Sequence, residues 1–401
     1  MQRLRLPISK YHGPVAESVQ LLVIQPTPFC NINCDYCYLP NRASTARLEK
    51  ETFAQILQTV FEGGLVGETL SIVWHAGEPM TLPVPYFSNL FSAIRELGIE
   101  ARRIRHSIQT NGMLITPAWC DFISEHAINI GVSIDGPAFI HDRHRKDRLG
   151  KGTHERVLKG ARLLQERNVD FHVIAVVTAD SLDHADAIFD FFVELGVRRL
   201  GFNIEELEGD HAFSSLTDSG SENRMREFWT RLYKKEEESG GRLKIREFDR
   251  ARESIVAGPV NVTVKQLMRQ NTQVSPCAII SVDQQGNMSS FSPELLGLKS
   301  LHYGDFMFGN VYSNSVKDIL RNARFKDVAR DIYAGVKHCA KSCEYFALCG
   351  GGAPSNKYFE NGSFVSTETM YCRTTIQMPI DIVLADLEKR LRVSDAHGQA
   401  V

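Results

Sequence analysis

Eight residues, Cys30-Asn31-Ile32-Asn33-Cys34-Asp35-Tyr36-Cys37, place three thiols at the spacing C-x3-C-x2-C. Three thiolates so spaced suit three corners of an iron-sulfur cube and leave one iron open to chemistry. A zinc site would usually bring a fourth Cys or His nearby, and none follows closely after Cys37. A second group, Cys339-x3-Cys343-x5-Cys349 followed by Cys372, supplies four thiols and so a closed set, with Gly350-Gly351-Gly352 allowing tight backbone approach beside it. On spacing alone, zinc and an iron-sulfur cluster fit that set equally well. Cys120, beside Trp119 on an apolar helix, reads as a core residue.

These groups sit in a chain of 401 residues, 43% hydrophobic and 23% charged, with a net charge of -2. That length suits one large unit plus a smaller one. The charge balance gives no electrostatic case for nucleic acid or a membrane surface as an obligate partner. Met1–Pro7 lacks the apolar run of a signal peptide and no later segment is long enough to span a bilayer, so a cytoplasmic address is expected. There the nine cysteines would be reduced and available to metal.

Six short apolar or β-branched runs read as buried strands: 19–25, 69–74, 102–109, 127–134, 169–177 and 198–204. Amphipathic segments lie between them, such as Phe53, Ile56, Leu57, Val60 and Phe61, or Val157, Leu158, Ala161 and Leu164. Thr116, Thr153 and Ser181 are placed as helix N-caps. Strands alternating with helices imply parallel pairing, as a doubly wound sheet or a full or partial barrel. The unusual residues all follow strands: Cys30–Cys37, then His75-Ala76-Gly77-Glu78-Pro79, Gln109-Thr110-Asn111-Gly112, Ser133-Ile134-Asp135-Gly136-Pro137 and Asn203-Ile204-Glu205. In parallel folds the carboxyl ends of strands carry the ligand site. Further on, Lys234–Glu238 reads as a solvated helix face, and 209–221 as a polar loop with scope to move near the site.

The C-x3-C-x2-C spacing, with Tyr36 just before its last cysteine, resembles the signature of the radical S-adenosylmethionine (SAM) enzymes. The resemblance implies a partial (β/α)6 TIM-like barrel, a 4Fe-4S cluster on Cys30, Cys34 and Cys37, and SAM chelated by the open iron. It assigns Gly77, Glu78 and Pro79 to the turn near the SAM amino group, with His75-Ala76 where a second glycine is common. Ser133 and Arg145 resemble the pair that holds the SAM carboxylate, a task that suits a planar guanidinium. Gln109 and Asn111 stand where ribose or substrate would be bound, whereas Asp135 reads first as shaping its own turn with Gly136 and Pro137, with a ribose contact as the alternative. His141-Asp142-Arg143-His144 reads as a capped or salt-bridged helix start, and His106 and His172 as core or surface histidines.

The second cysteine group resembles a SPASM extension, an α+β domain whose thiolates carry auxiliary 4Fe-4S clusters. The chain departs from the two-cluster pattern, with Ser292 and Ala353 where cysteines are expected. One auxiliary cluster on Cys339, Cys343, Cys349 and Cys372 is therefore expected, with Cys277 left as a buried thiol or an extra ligand. The domains implied are an N-terminal segment 1–18, a radical barrel 19–245, a bridge 246–276, a SPASM-type domain 277–378 and a helix and tail 379–401. No leader-binding domain is expected ahead of the first strand. Pro26-Thr27-Pro28-Phe29, Tyr38-Leu39-Pro40 and Ser292-Pro293-Glu294-Leu295-Leu296-Gly297 resemble cyclophane-forming peptide maturases of the GrrM/OscB type. That implies a glycine-rich precursor peptide as partner, a flavodoxin or ferredoxin as electron donor, and a carbon-carbon crosslink as product; a sulfatase-type maturase and a zinc-binding interaction module are the alternatives. Glu294 is the candidate acceptor of the proton lost as the ring rearomatises, or one half of a structural salt bridge. Tyr303, Asp305 and Tyr345 are weaker candidates.

Overall fold

A computed structural model describes Ala16 and residues 18–258 and 263–398, with side chains as far as residue 392. Met1–Pro7, nearly all of the expected N-terminal segment, residues 259–262 of the expected bridge and the last three residues of the tail lie outside the described residues. The six expected runs form β1 (Leu21–Ile24), β2 (Leu70–Trp74), β3 (Ile104–Thr110), β4 (Asn129–Ser133), β5 (Phe171–Val177) and β6 (Arg199–Ile204). All pair in parallel and in chain order. Ile24 stands opposite Trp74, Thr110 opposite Val132 and Val177 opposite Ile204, so the strands end nearly flush on one rim.

Helices α1 (Lys50–Glu62), α2 (Val84–Glu96), α3 (Pro117–Glu125), α4 (Ala138–His144), α5 (His154–Glu166) and α6 (Ala185–Glu194) make the crossovers. In β3, Ile104, His106, Ile108 and Thr110 are buried, and in β5, Phe171, Val173, Ala175 and Val177. The residues between them, including Ser107, Gln109, His172 and Ile174, are less buried. A parallel sheet covered on both faces is apolar throughout; here the second face lines the open interior of an incomplete barrel. Outside the wall, Trp74 packs against Phe53, Phe87 and His106, with ring centroids 5.2, 5.3 and 6.2 Å away. His106 is thus a core histidine, its Nδ1 accepting from Trp74 Nε1 at 3.3 Å.

After α7 (Ser221–Glu238), β7 (Lys244–Ile245) extends the sheet beside β6, followed by α8 (Arg246–Ala257) and α9 (Val264–Gln270). The chain then returns to the other edge, where β8 (Ile279–Val282) pairs in parallel with β1 and carries β9 (Asn287–Ser290) antiparallel. A small hairpin of β10 (Lys299–Ser300) and β11 (Gly304–Asp305) precedes β12 (Gly309–Asn310), which completes a ten-stranded sheet beside β9. The cysteine-rich end is helical: α10 (Val316–Ile319), α11 (Ala323–Ser342), α12 (Phe346–Cys349), α13 (Pro354–Asn361) and α14 (Met378–Gly398). Trp229 Nε1 on α7 donates to the Thr374 carbonyl at 2.7 Å, tying this end to the barrel.

Three local expectations need correction. Thr116 caps α3 and Thr153 stands at the N-cap position of α5, but the Thr153 hydroxyl donates to the Arg145 carbonyl and gives that helix no side-chain cap. Ser181 is the third residue of a capping box headed by Thr178, so the helical turn begins earlier. Glu236, in the charge run, is buried because α8 brings Arg252 to 2.8 Å from it. The 209–221 stretch is anchored where the Ser215 N–H donates to Glu205 Oε2 at 2.8 Å.

Candidate active site at the carboxyl rim

A cavity of about 250 Å³ opens at the rim. Its wall includes Cys30, Cys34, Cys37, Tyr36, Gly77, Glu78, Gln109, Asn111, Ser133 and Arg145, together with Glu206, Glu208 and Glu294. Pro79 and Asp135 lie off this wall. Residues more than two hundred positions apart therefore share one chamber, because every strand of the partial barrel releases its loop to the same side.

The cysteine loop is held by the turn after β2. Gly77 has φ +64°, and a Cβ there would lie 2.3 Å from the Thr27 carbonyl oxygen and 2.7 Å from that of Phe29. Only glycine allows this approach. The Glu78 N–H donates to the Phe29 carbonyl at 2.7 Å. Its carboxylate accepts from Met80 N–H at 2.9 Å, Thr110 Oγ1 at 2.8 Å and Asn111 N–H at 2.7 Å. Burial raises Glu78 to about 6, with those three donors pulling the other way. Glu78 thus locks the turns after β2 and β3 together. Asn111 Nδ2 reaches Asn31 Oδ1 at 2.7 Å and lies 4.0 Å from Cys30 Sγ, and Gln109 Nε2 donates to Ser133 Oγ at 2.9 Å.

Arg145 is 7% exposed and grips Asp135 through Nε and NH2, both at 3.0 Å. Its remaining arm, NH1, lies 4.0 Å from Cys34 Sγ, on the cluster side of the cavity. Asp135 also accepts from Tyr36 Oη and from the Val176 N–H at 2.9 Å. Burial works to raise the Asp135 carboxyl, but Arg145 and its other partners outweigh it and hold the group ionised. The ribose contact held open for Asp135 is thereby replaced by a supporting role, since protein donors occupy both oxygens. The neighbouring segment His141–His144 is the last turn of α4 and not a helix start, with His141 Nε2 meeting Thr153 Oγ1 at 3.0 Å and Arg143 pairing with Asp180 at 2.7 Å.

The wall facing the thiols is acidic, and sequence reasoning missed most of it. Glu206 and Glu208 follow β6, with Asn356 Nδ2 donating to Glu206 Oε2. The two carboxyls share a hydrogen bond. Burial, reinforced by Glu294, raises Glu206 to about 8, and burial with Glu206 beside it raises Glu208 as well. Burial also raises Glu294, whose Oε2 has no hydrogen-bond partner. The available signal was the i, i+2 spacing of Glu206 and Glu208, which puts both on one side of an extended segment. Glu205, singled out from its position, also lines the cavity, with its carboxylate engaged by His211 and Ser215.

Cys339, Cys343, Cys349 and Cys372 line one small cavity with Ala353 and Lys357. Lys357 Nζ lies 3.2 Å from Cys339 Sγ, and the Gly352 N–H donates to Cys349 Sγ at 3.1 Å. Cys277 is 1% exposed, and its N–H donates to Ser290 Oγ at 3.0 Å. Cys120 is likewise in the core, 1% exposed. Tyr303 bonds Asp331 at 2.9 Å, Tyr345 bonds Asp381 at 2.6 Å and Asp305 pairs with Arg324, so all three have structural partners away from the rim cavity. Among the described residues no helix is long and apolar enough to cross a membrane.

A partial parallel barrel with three thiols beside a buried Arg-Asp pair defines an enzyme built around an open-iron cluster. Residues 24–192 match the Radical SAM superfamily. Over 376 residues, 92% of each chain, the protein is 40% identical to sll1766 of Synechocystis sp.. It is 23% identical over 360 residues to a serine-type anaerobic sulfatase-maturating enzyme of Bacteroides thetaiotaomicron, covering 86% of this chain and 85% of that one. The fold matches native anSMEcpe with bound AdoMet and the Cp18Cys peptide at a TM-score of 0.73 and 23% identity, covering 92% of this chain and 98% of that chain. The chain belongs to the radical SAM superfamily. Membership implies SAM and a 4Fe-4S cluster as cofactors.

Proposed function

We propose that this enzyme matures a glycine-rich, ribosomally made peptide by joining an aromatic ring carbon to the β-carbon of a nearby residue. The observation that carries the reading is the single cavity in which the three-thiol site faces the carboxyls of Glu294, Glu206 and Glu208. Cys30, Cys34 and Cys37 would hold the cluster, which, given an electron from a flavodoxin or ferredoxin, would with bound SAM supply the 5'-deoxyadenosyl radical needed to take a hydrogen atom from the peptide. Arg145 NH1 and Ser133 are assigned to the SAM carboxylate, the Gly77–Pro79 turn to its amino group, and Gln109 and Asn111 to its ribose. Asp135 and Tyr36 keep Arg145 in place.

After the carbon radical attacks the ring, one proton and one electron must leave. Glu294 is assigned the proton, because its buried Oε2 has no competing donor and burial favours its protonated form. The electron is assigned to an auxiliary 4Fe-4S cluster on Cys339, Cys343, Cys349 and Cys372. Spacing alone admits zinc as well, and the resemblance of the set to the auxiliary-cluster thiols of SPASM-type maturases supports the cube. Cys277 is buried with Ser290 beside it, and Ser292 and Ala353 stand where further cysteines would be expected, which supports one auxiliary cluster rather than two.

The likeness to a sulfatase-maturating enzyme favours a second reading, oxidation of a Cys or Ser to formylglycine. Mass spectrometry of the peptide after turnover separates the two. A crosslink removes two hydrogens with no loss of sulfur, gives no fragments between the linked residues and leaves nothing for a hydrazine to capture. Glu294→Gln should still cleave SAM while crosslinking falls by about 10²–10⁴. A hydrazine-reactive product would overturn the crosslink, and full crosslinking by Glu294→Gln would overturn the assigned base.

A further inference from the structure

Lys357 is 3% exposed, a depth at which lysine is rarely found without a partner. It stands one turn into α13, and its Nζ is 3.2 Å from Cys339 Sγ at the end of α11. No carboxylate is paired with it among the described residues. A buried ammonium needs a compensating negative charge, and the sulfur of a metal-bound thiolate is the group placed to supply it. The other sulfurs receive neutral donors: Gly352 N–H to Cys349 at 3.1 Å, Gln377 Nε2 to Cys372 at 3.6 Å and the Tyr345 N–H to Cys343. Lys357 alone brings a full charge.

Hydrogen bonds to ligand sulfur and nearby positive charge stabilise the more negative, reduced form of an iron-sulfur cluster. We propose that Lys357 raises the potential of the auxiliary cluster and so makes it an acceptor for the electron released when the peptide product forms. The inference rests on the reading of Cys339, Cys343, Cys349 and Cys372 as an iron-sulfur site. The electron balance is simple: the product radical loses one electron, the cluster gains one, and the proton goes to a carboxyl of the facing wall. Lys357 touches neither substrate nor SAM and acts through Cys339, as a positioning residue.

The test uses full-length protein carrying Cys30→Ala, Cys34→Ala and Cys37→Ala, reconstituted anaerobically so that only the second site can hold iron. Iron and sulfide analysis comes first, then a redox titration followed by electron paramagnetic resonance. At the potential where this protein is half reduced, adding Lys357→Met should lower the reduced-to-oxidised ratio at least tenfold, which for one electron is about 59 mV. Lys357→Arg, which keeps charge and donor, should stay near the parent, and Lys357→Gln, which keeps a donor alone, should fall between. Equal potentials across the series would overturn the role of Lys357 while leaving the cluster in place. If Met loses the cluster, the Arg and Gln proteins decide by the same ordering, and loss from both of these also overturns it. Protein without iron and sulfide at the second site would overturn the cluster reading itself.

Discussion

The two cysteine sites treat positive charge in opposite ways. At the rim, Arg145 lies near Cys34, but two of its arms hold Asp135 at 3.0 Å and its third is 4.0 Å from the sulfur. At the other site, Lys357 gives its charge to Cys339 at 3.2 Å with no carboxylate drawing it away. Neutral donors reach sulfur at both sites, the Ile32 N–H and, 4.0 Å away, Asn111 Nδ2 at Cys30, and the Gly352 N–H at Cys349, 3.1 Å away. Donors to sulfur raise cluster potential. On the proposed cluster reading, the charge that Lys357 brings to Cys339 would make the helical site the less reducing of the two, the order needed if one gives an electron and the other collects it.

The largest test of that comparison removes each site in turn. Replacing Cys30, Cys34 and Cys37 with Ala should abolish 5'-deoxyadenosine formation while iron remains at the other site. Replacing Cys339, Cys343, Cys349 and Cys372 should do the reverse, keeping SAM cleavage and losing the crosslinked peptide. Chromatography of the nucleoside and iron analysis read both outcomes. Undiminished SAM cleavage by the first protein would break the division of labour.

A smaller effect sharpens what Arg145 does. Because Asp135 is buried and takes two of the guanidinium's arms, Arg145→Ala leaves a carboxylate without its cation as well as removing the contact to SAM proposed above. Stability should fall by about 3–5 kcal/mol, read by urea denaturation under anaerobic conditions. Asp135→Asn added to Arg145→Met should recover much of the loss, since no uncompensated buried charge remains. A stable Arg145→Ala protein with weakened SAM binding would mean that the pair serves the ligand alone.

The barrel was legible because β-branched runs and helical periodicity are local signals, and β1 to β6 start and end within two residues of the expected runs. The two cysteine groups, each of which lines one cavity, were legible because metal-binding thiols follow recognisable spacings. What stayed hidden depended on partners distant in sequence. The parallel pairing of β8 with β1 joins Leu21 to Ile279 across the whole barrel, and strand character does not name the partner. Asp135 read as a turn residue because its partners arrive from the cysteine loop, from β5 and from the end of α4. Lys357 had no signal at all, since its meeting with Cys339 comes from α13 folding back onto the end of α11.

The smallest expected effect concerns the acidic wall between peptide and thiols. Glu206 is raised from 4.5 to about 8, chiefly by burial and then by Glu294, so folded protein keeps a proton that the unfolded chain has lost over that interval. Stability from this group is complete below the unfolded value and is lost as pH rises through the folded one, with a slope of up to about 1.4 kcal/mol per pH unit for one proton. Glu206 and Glu208 share a hydrogen bond, so the pair titrates as a unit. Glu206→Gln cannot lose a proton, and its stability should fall less steeply than the parent's between about pH 5 and pH 8, with the largest gain over the parent at the upper end. Urea denaturation across that range gives both slopes. Parallel slopes would mean that Glu206 is solvated and ionised, and the acidic wall would then be a fixed charge facing the thiols rather than a reservoir for the proton that leaves the peptide.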